Sequence, residues 1–148
     1  MNSIKAILSH PIFSGLSRQE AENLARYCEV LLLPKGQIVV QQGEMSEDMY
    51  VLIKGSLSIR VQDSSGDESE VGQLSQGEIF GEMGVFEKVA RSASIYSNTE
   101  SIVLCIPGDG FHTMVEEGQA AMHVLLQHTL QNACSRLRDL DKRLDTLF

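Results

Sequence analysis

The chain has 148 residues, enough to bury one substantial core but too few for a catalytic domain joined to a separate regulatory one. A composition of 43% hydrophobic and 22% charged residues excludes a disordered tail or a low-complexity polymer. Twelve Lys and Arg against twenty Asp and Glu leave a formal net charge of −8, which repels a phosphate backbone; an anionic ligand would need a local site. No stretch reaches the roughly 18 to 20 apolar residues of a membrane span, and Met1–Ser9 lacks the pattern of a secretory signal, so a cytoplasmic location is expected. Cys28, Cys105 and Cys134 are odd in number and far apart, which fits small buried hydrophobes better than a disulfide framework or a CxxC motif.

Residues 1–29 read as helical. Ile4, Ile7 and Leu8 form a first turn or two, stopped by Pro11. Ser17 and Glu20 make a capping box, and Ala21, Leu24, Ala25 and Cys28 recur at helical spacing, predicting a helix over 17–28. Residues 30–106 are β-rich. Runs at 37–41, 49–54, 57–61, 70–74, 92–96 and 101–106 are separated by turn-like Gly36, Gly43, Gly55, Gly66 and Gly77. Ile79 and Phe80 end a further strand, and the polar stretch 62–70 reads as a hairpin tip. Leu57, Ile59 and Val61 alternate with Ser58 and Arg60, which puts one face of that strand in the core. Short strands at regular spacing predict a mainly β jelly-roll barrel (a double-stranded β-helix) between N-terminal helices and a long C-terminal helix.

Helical texture resumes over 107–148. A short helix at 109–116 is broken by Gly118, after which 119–147 contains neither Pro nor Gly. Leu126, Leu130, Ala133, Leu137, Leu140, Leu144 and Leu147 follow a heptad seam. Up to about Leu130 the helix is expected to pack on its own barrel, and beyond it to pair with a second copy. In a parallel pair, Arg136 at position g faces Asp141 at position e.

The segment 77–95, GEIFGEMGVFEKVARSASI, carries the chemistry. Gly81 permits a tight turn, and the residues from Glu82 on can start a helical turn whose free N–H groups form an anion nest. Arg91 can return a guanidinium to the same place, while Glu82 suits a sugar hydroxyl better than a phosphate. Small residues at Gly84, Ser92 and Ala93 allow close backbone approach. On the residues alone, a structural Glu–Arg ion pair or a solvated face is an equal alternative.

At Phe80-Gly81-Glu82-Met83-Gly84-Val85 and Arg91-Ser92-Ala93 the sequence resembles the phosphate-binding cassette of the cyclic nucleotide-binding domain family, in a form similar to the bacterial cyclic AMP receptor proteins. Pro11-Ile12-Phe13-Ser14-Gly15-Leu16-Ser17 and the spacing of Gly36, Gly43, Tyr50, Gly55 and Gly77 extend the likeness over most of the chain. The resemblance implies one domain over 1–148 with its cassette at 80–93. It implies Arg91 on a cyclic phosphate, Glu82 on the ribose 2′-hydroxyl, and amides near Gly81, Met83 and Gly84 completing the cradle. Ser92 matches a position that contacts phosphate or, in some cyclic GMP binders, the purine, which leaves the base ambiguous; cAMP is the favoured ligand over cGMP. Ala90 replaces a frequent Pro. The base is usually capped by the helix after the barrel, where Arg136 is a candidate contact, although the pairing with Asp141 or plain solvation is the preferred role for it.

The expected function is a non-enzymatic sensor that binds a cyclic nucleotide and signals through its C-terminal helix, as a homodimer or through an effector protein. No metal or other cofactor is expected. The chain leaves no room for the helix-turn-helix of receptor-protein relatives, so direct DNA contact is not expected. Two rivals remain. A cupin-type metalloenzyme needs clustered ligands, but His10, His112, His123 and His128 all lie outside the strand region. The other rival is a dimerisation module with an unoccupied pocket.

Overall fold

The computed structural model describes residues 1–147, with side chains through Lys142. The seam positions Leu144 and Leu147 therefore lie outside the described side chains. Helix α1 (Ser3–Ser9) is capped by Asn2, whose side chain accepts from the Lys5 N–H. His10 and Pro11 end it and open a 3-10 turn, Pro11–Phe13. Helix α2 (Arg18–Ala25) starts at the predicted capping box. The Glu20 N–H donates to Ser17 Oγ, and Glu20 Oε1 accepts from the Ser17 N–H, both at 3.1 Å. It ends three residues before Cys28, in a turn closed by Tyr27 and Cys28 N–H donation to Leu24 and Ala25.

Eight strands follow: β1 (Glu29–Leu33), β2 (Ile38–Val40), β3 (Met49–Lys54), β4 (Leu57–Gln62), β5 (Glu68–Leu74), β6 (Ile79–Phe80), β7 (Ser94–Ser97) and β8 (Ser101–Ile106). A short helix, α3 (Glu82–Glu87), interrupts them between β6 and β7. They form two antiparallel four-stranded sheets, ordered β1-β8-β3-β6 and β2-β7-β4-β5, so the jelly roll consists of two facing sheets. Strand β1 is absent from the predicted runs because Glu-Val-Leu-Leu-Leu does not alternate; Leu32 is 63% exposed beside buried Leu33. The hairpin tip shrinks to 63–67, because pairing runs out to Gln62 and Glu68. Strand β7 starts two residues later than predicted, since the arginine loop occupies the place of its first turn of ladder.

Two cores share the first sheet. Leu33, Leu52, Leu57, Phe80, Ile95 and Val103 fill the space between the sheets. On the sheet's other face, Val51, Ile53, Leu104 and Ile106 meet Ile7, Phe13 and Leu24 from the N-terminal segment, with Phe111 and Leu125 from the helices that follow. Strand β3 is consequently buried on both faces from Met49 to Ile53, as its unbroken apolar run requires.

Helices α4 (Gly108–Glu116) and α5 (Ala120–Leu147) close the fold. The way α5 packs corrects one expectation. Its buried face is Ala121, Met122 and Leu125, one residue out of phase with the seam, so Leu126 and Leu130 are 40% and 66% exposed instead of lying on the barrel. A rotation of about 100° per residue is enough to turn one stripe in and its neighbour out. The leucine stripe therefore stays open as far as the side chains are described, with Leu137 and Leu140 60% and 50% exposed. No helix among the described residues is long and apolar enough to cross a membrane.

Candidate functional site

Strand β6 delivers the chain to Gly81, which adopts φ +78° and caps α3 without a side-chain bond, leaving the first N–H groups of α3 without a side-chain cap. A β-carbon at Gly81 would come within 2.9 Å of the Asp48 carbonyl and 3.1 Å of Arg91 Nη1, so both space and backbone angle require glycine here. The same holds for space at Gly84, where a β-carbon would collide with the Ser46 carbonyl and lie 2.9 Å from Arg91 Nη1. Both glycines let the cassette lie directly on the arginine. The short helix ends at Lys88, a non-glycine residue in the left-handed region (φ 53°) whose ammonium reaches Glu47 at 3.8 Å.

Arg91 is only 7% exposed. Nη1 donates to the Gly81 carbonyl at 2.8 Å, and Nη2 donates to the Asp48 carbonyl at 2.6 Å and to Ser46 Oγ at 3.2 Å. Nε is buried with no acceptor. The backbone around it is fixed by the Arg91 N–H to the Glu44 carbonyl and the Gly43 N–H to the Arg91 carbonyl, each at 2.8 Å. Among the described residues no carboxylate lies within ion-pair distance of this guanidinium. The Glu82–Arg91 ion pair that the residues alone allowed is therefore not formed. Instead, Glu82 is paired with Arg136 of α5, whose Nη1 donates to Glu82 Oε1 at 3.1 Å. Within one chain Arg136 thus spans from the helix to the cassette.

These groups line a cavity of about 250 Å³. Gly81, Glu82, Met83, Gly84, Arg91, Ser92, Ala93 and Arg136, all singled out in the sequence, share its wall. One end is polar, built from Arg91 and the cassette. Val40, Ile59, Leu74, Phe80, Val89 and Ile95 give the cavity an apolar wall, to which Gln73 and Glu78 add two polar side chains. Phe80 is held by stacking on Tyr50, ring centroids 5.0 Å apart, and burial pushes the Tyr50 hydroxyl up to about 12. Sequence reasoning missed Ser46 and Asp48, which hold Arg91 through a hydroxyl and a backbone carbonyl and so leave no pattern to read. It could have found Ile59, since the Leu57/Ile59/Val61 alternation already turned that residue inward. Among the described residues no group of His, Cys, Asp and Glu is placed to hold a metal ion.

The two-sheet jelly roll, a buried arginine without a counter-ion and an apolar chamber beside it define a binding protein for a small anion carrying an apolar or aromatic part. Residues 30–118 match the cyclic nucleotide-binding domain, and the chain belongs to that family. It is similar to the cyclic AMP receptor protein of Thermus thermophilus, with 26% identity over 93% of this chain and 62% of the relative. It is also similar to the cAMP-activated global transcriptional regulator CRP of Pasteurella multocida, with 30% identity over 82% of this chain and 56% of the relative. The chain thus spans about three-fifths of these relatives. The solved structure of the Thermus thermophilus catabolite activator protein superposes with a TM-score of 0.74 at 25% identity, covering 93% of this chain and 62% of that one. A cyclic nucleotide-binding domain from Methylobacillus flagellatus superposes with a TM-score of 0.77 at 17% identity, covering 95% and 79%, and shares the fold.

Proposed function

We propose that the chain is a cytoplasmic, non-enzymatic cyclic nucleotide sensor that takes cAMP into the cavity beneath Arg91 and reports occupancy through α5, as a homodimer joined along that helix. One observation carries the reading: a cation 93% removed from solvent whose neighbours are all neutral acceptors and whose Nε has none. A buried charge without a partner costs several kcal/mol, and a ligand phosphate offsets that cost where a neutral ligand cannot. The chamber's apolar wall fits a purine, and the names of the Thermus and Pasteurella relatives favour adenine.

In this reading Arg91 and the amides at Gly81, Met83 and Gly84 hold the cyclic phosphate, with Ser92 and Ala93 allowing close approach. Glu82 accepts from the ribose 2′-hydroxyl. Arg136, now on Glu82, must share or surrender that carboxylate when the sugar arrives, and this is the step that links the ligand to α5. The ligand shifts α5 only by as much as it binds one helix arrangement better than the other. Output passes through α5, the partner copy or an effector protein. Exposed Leu126, Leu130, Leu137 and Leu140 support the dimer.

The test is the melting temperature with cAMP, cGMP and linear AMP. A ligand at about 100 times its Kd stabilises by about 2.7 kcal/mol. A cAMP shift exceeding the cGMP shift is expected, with none from AMP. The absence of any shift would leave the assembly-module reading, and a larger cGMP shift would overturn the adenine preference.

A further inference from the structure

A second cavity, about 520 Å³, lies on the other side of Glu78 from the cassette and is lined by His10, Ile12, Gly77, Glu78 and His128. It joins three separate parts of the fold: the Pro11–Phe13 turn, the β5–β6 connection and α5. His10 caps the turn with its ring, Nδ1 accepting from the Ile12 N–H at 3.3 Å. An Nδ1 that accepts carries the lone pair, so the neutral ring has its proton on Nε2. The ring lies against Gly77, where a β-carbon would come within 3.1 Å of Cε1, and Gly77 is itself tied to strand β3 by its N–H to the Leu52 carbonyl at 2.8 Å.

Protonation must occur at Nδ1. The acceptor then becomes a donor facing the Ile12 N–H, and the cap is lost. The ionisable groups around the ring are His128 from α5 and Glu78 from the β5–β6 connection; α1 contributes only Lys5, which is exposed and does not line the cavity. Glu78 is the only carboxylate in this wall, and its Oε2 accepts from the Ser75 N–H at 2.6 Å. Burial first, and the neighbouring His128 second, hold the His10 pKa below its ordinary value of 6.5.

We propose that His10, His128 and Glu78 form an acid-operated clasp. Neutral, His10 caps the Pro11–Phe13 turn, whose Ile12 and Phe13 pack in one core with Met122 and Leu125 of α5. Protonated at Nδ1, His10 gives up the Ile12 bond, loosening the turn where it meets α5. Because the folded state holds His10 below its unfolded pKa, the stabilisation is complete above about pH 6.5 and is lost as the pH falls through the lower folded value. Glu78 also lines the cavity under Arg91, so the clasp borders the wall of that chamber, yet it operates whatever fills it.

The experiment is hydrogen exchange at about pH 7.5 and 5.5, corrected for intrinsic rates, on the full chain, His10→Asn and His128→Gln. Asn accepts from the N–H two residues on but does not titrate, so His10→Asn keeps the cap without the switch. The wild type should lose protection several-fold at residues 12–14 and 121–129 on acidification, with His10→Asn unchanged and His128→Gln losing less than the wild type. Equal acid-dependent loss in all three proteins, or no loss in the wild type, overturns the clasp. Should His10→Asn fail to fold, His128→Gln, which leaves the cap intact, decides alone.

Discussion

Replacing Arg91 with methionine removes the guanidinium while keeping most of the side-chain length. The folded protein forfeits hydrogen bonds of 2.6, 2.8 and 3.2 Å to Asp48, Gly81 and Ser46. Each is worth about 1.5–3 kcal/mol when the donor is charged. It is also relieved of a buried, uncompensated cation, a term of several kcal/mol with the opposite sign. The ligand-free melting temperature is therefore a poor readout, whereas the shift on adding cyclic nucleotide is a clean one. Truncating one side of a desolvated charge pair costs about 2–5 kcal/mol of binding, or roughly 30-fold to several thousandfold in Kd. At 100 times the wild-type Kd, the ligand's stabilisation should fall from about 2.7 kcal/mol to below about 0.9 kcal/mol. With about 2–4 °C per kcal/mol for a chain of this size, a shift of roughly 5–11 °C shrinks to under about 4 °C. Differential scanning fluorimetry, checked by titration calorimetry, measures it. An Arg91→Met protein that keeps the full shift would refute the assignment of the phosphate to this side chain.

Gly84→Ala places a methyl group against the Ser46 carbonyl and Arg91 Nη1, so it should cost about 1–3 kcal/mol in unfolding free energy and weaken nucleotide binding together. A stable Gly84→Ala protein with unchanged affinity would mean that the cassette yields easily. The double variant Leu137→Asp, Leu140→Asp should remain folded by circular dichroism and run as a monomer in light scattering, where the wild type runs as a dimer; a monomeric wild type would dispose of the dimer. Burial pushes the Cys28 and Cys105 thiols up to about 12, so a thiol reagent at neutral pH should label only exposed Cys134 in the folded protein. With folded values above the ordinary thiol value of 9, the unfolded chain releases these protons first, and stability should fall as the pH rises past about 9. A flat alkaline unfolding profile would contradict that burial.

How much of this was legible depended on whether information ran along the chain or across it. The capping box at Ser17 and Glu20 works through two local bonds, and its prediction agrees with the structure. The cassette was legible because Gly81, Gly84 and Arg91 are demanded by one small space that few other residues could occupy. Strand β1 escaped because it alternates poorly, each residue being governed by what lies over it and not by its neighbours. The packing of α5 escaped for a related reason. Leucines at heptad spacing and the Ala121-Met122-Leu125 face are both regular apolar stripes, and only the tertiary fold determines which one turns inward. The heptad positions of Arg136 suggested a partner copy's Asp141, while its contact with Glu82 joins residues 54 apart in sequence.

The two-sided burial of β3 has a consequence for changes in chain length. Tyr50 and Leu52 point into the chamber between the sheets, and Met49, Val51 and Ile53 point toward the helices. Inserting a single residue before Val51 would put one side of the strand out of register, sending Tyr50 among the helices, or else Leu52 there and Val51 and Ile53 into the chamber. The same insertion between Asp63 and Asp67 would disturb only a turn held by its own Asp63 and Ser65 bonds. The hairpin tip thus accommodates length variation, whereas β3 admits substitutions without admitting insertions.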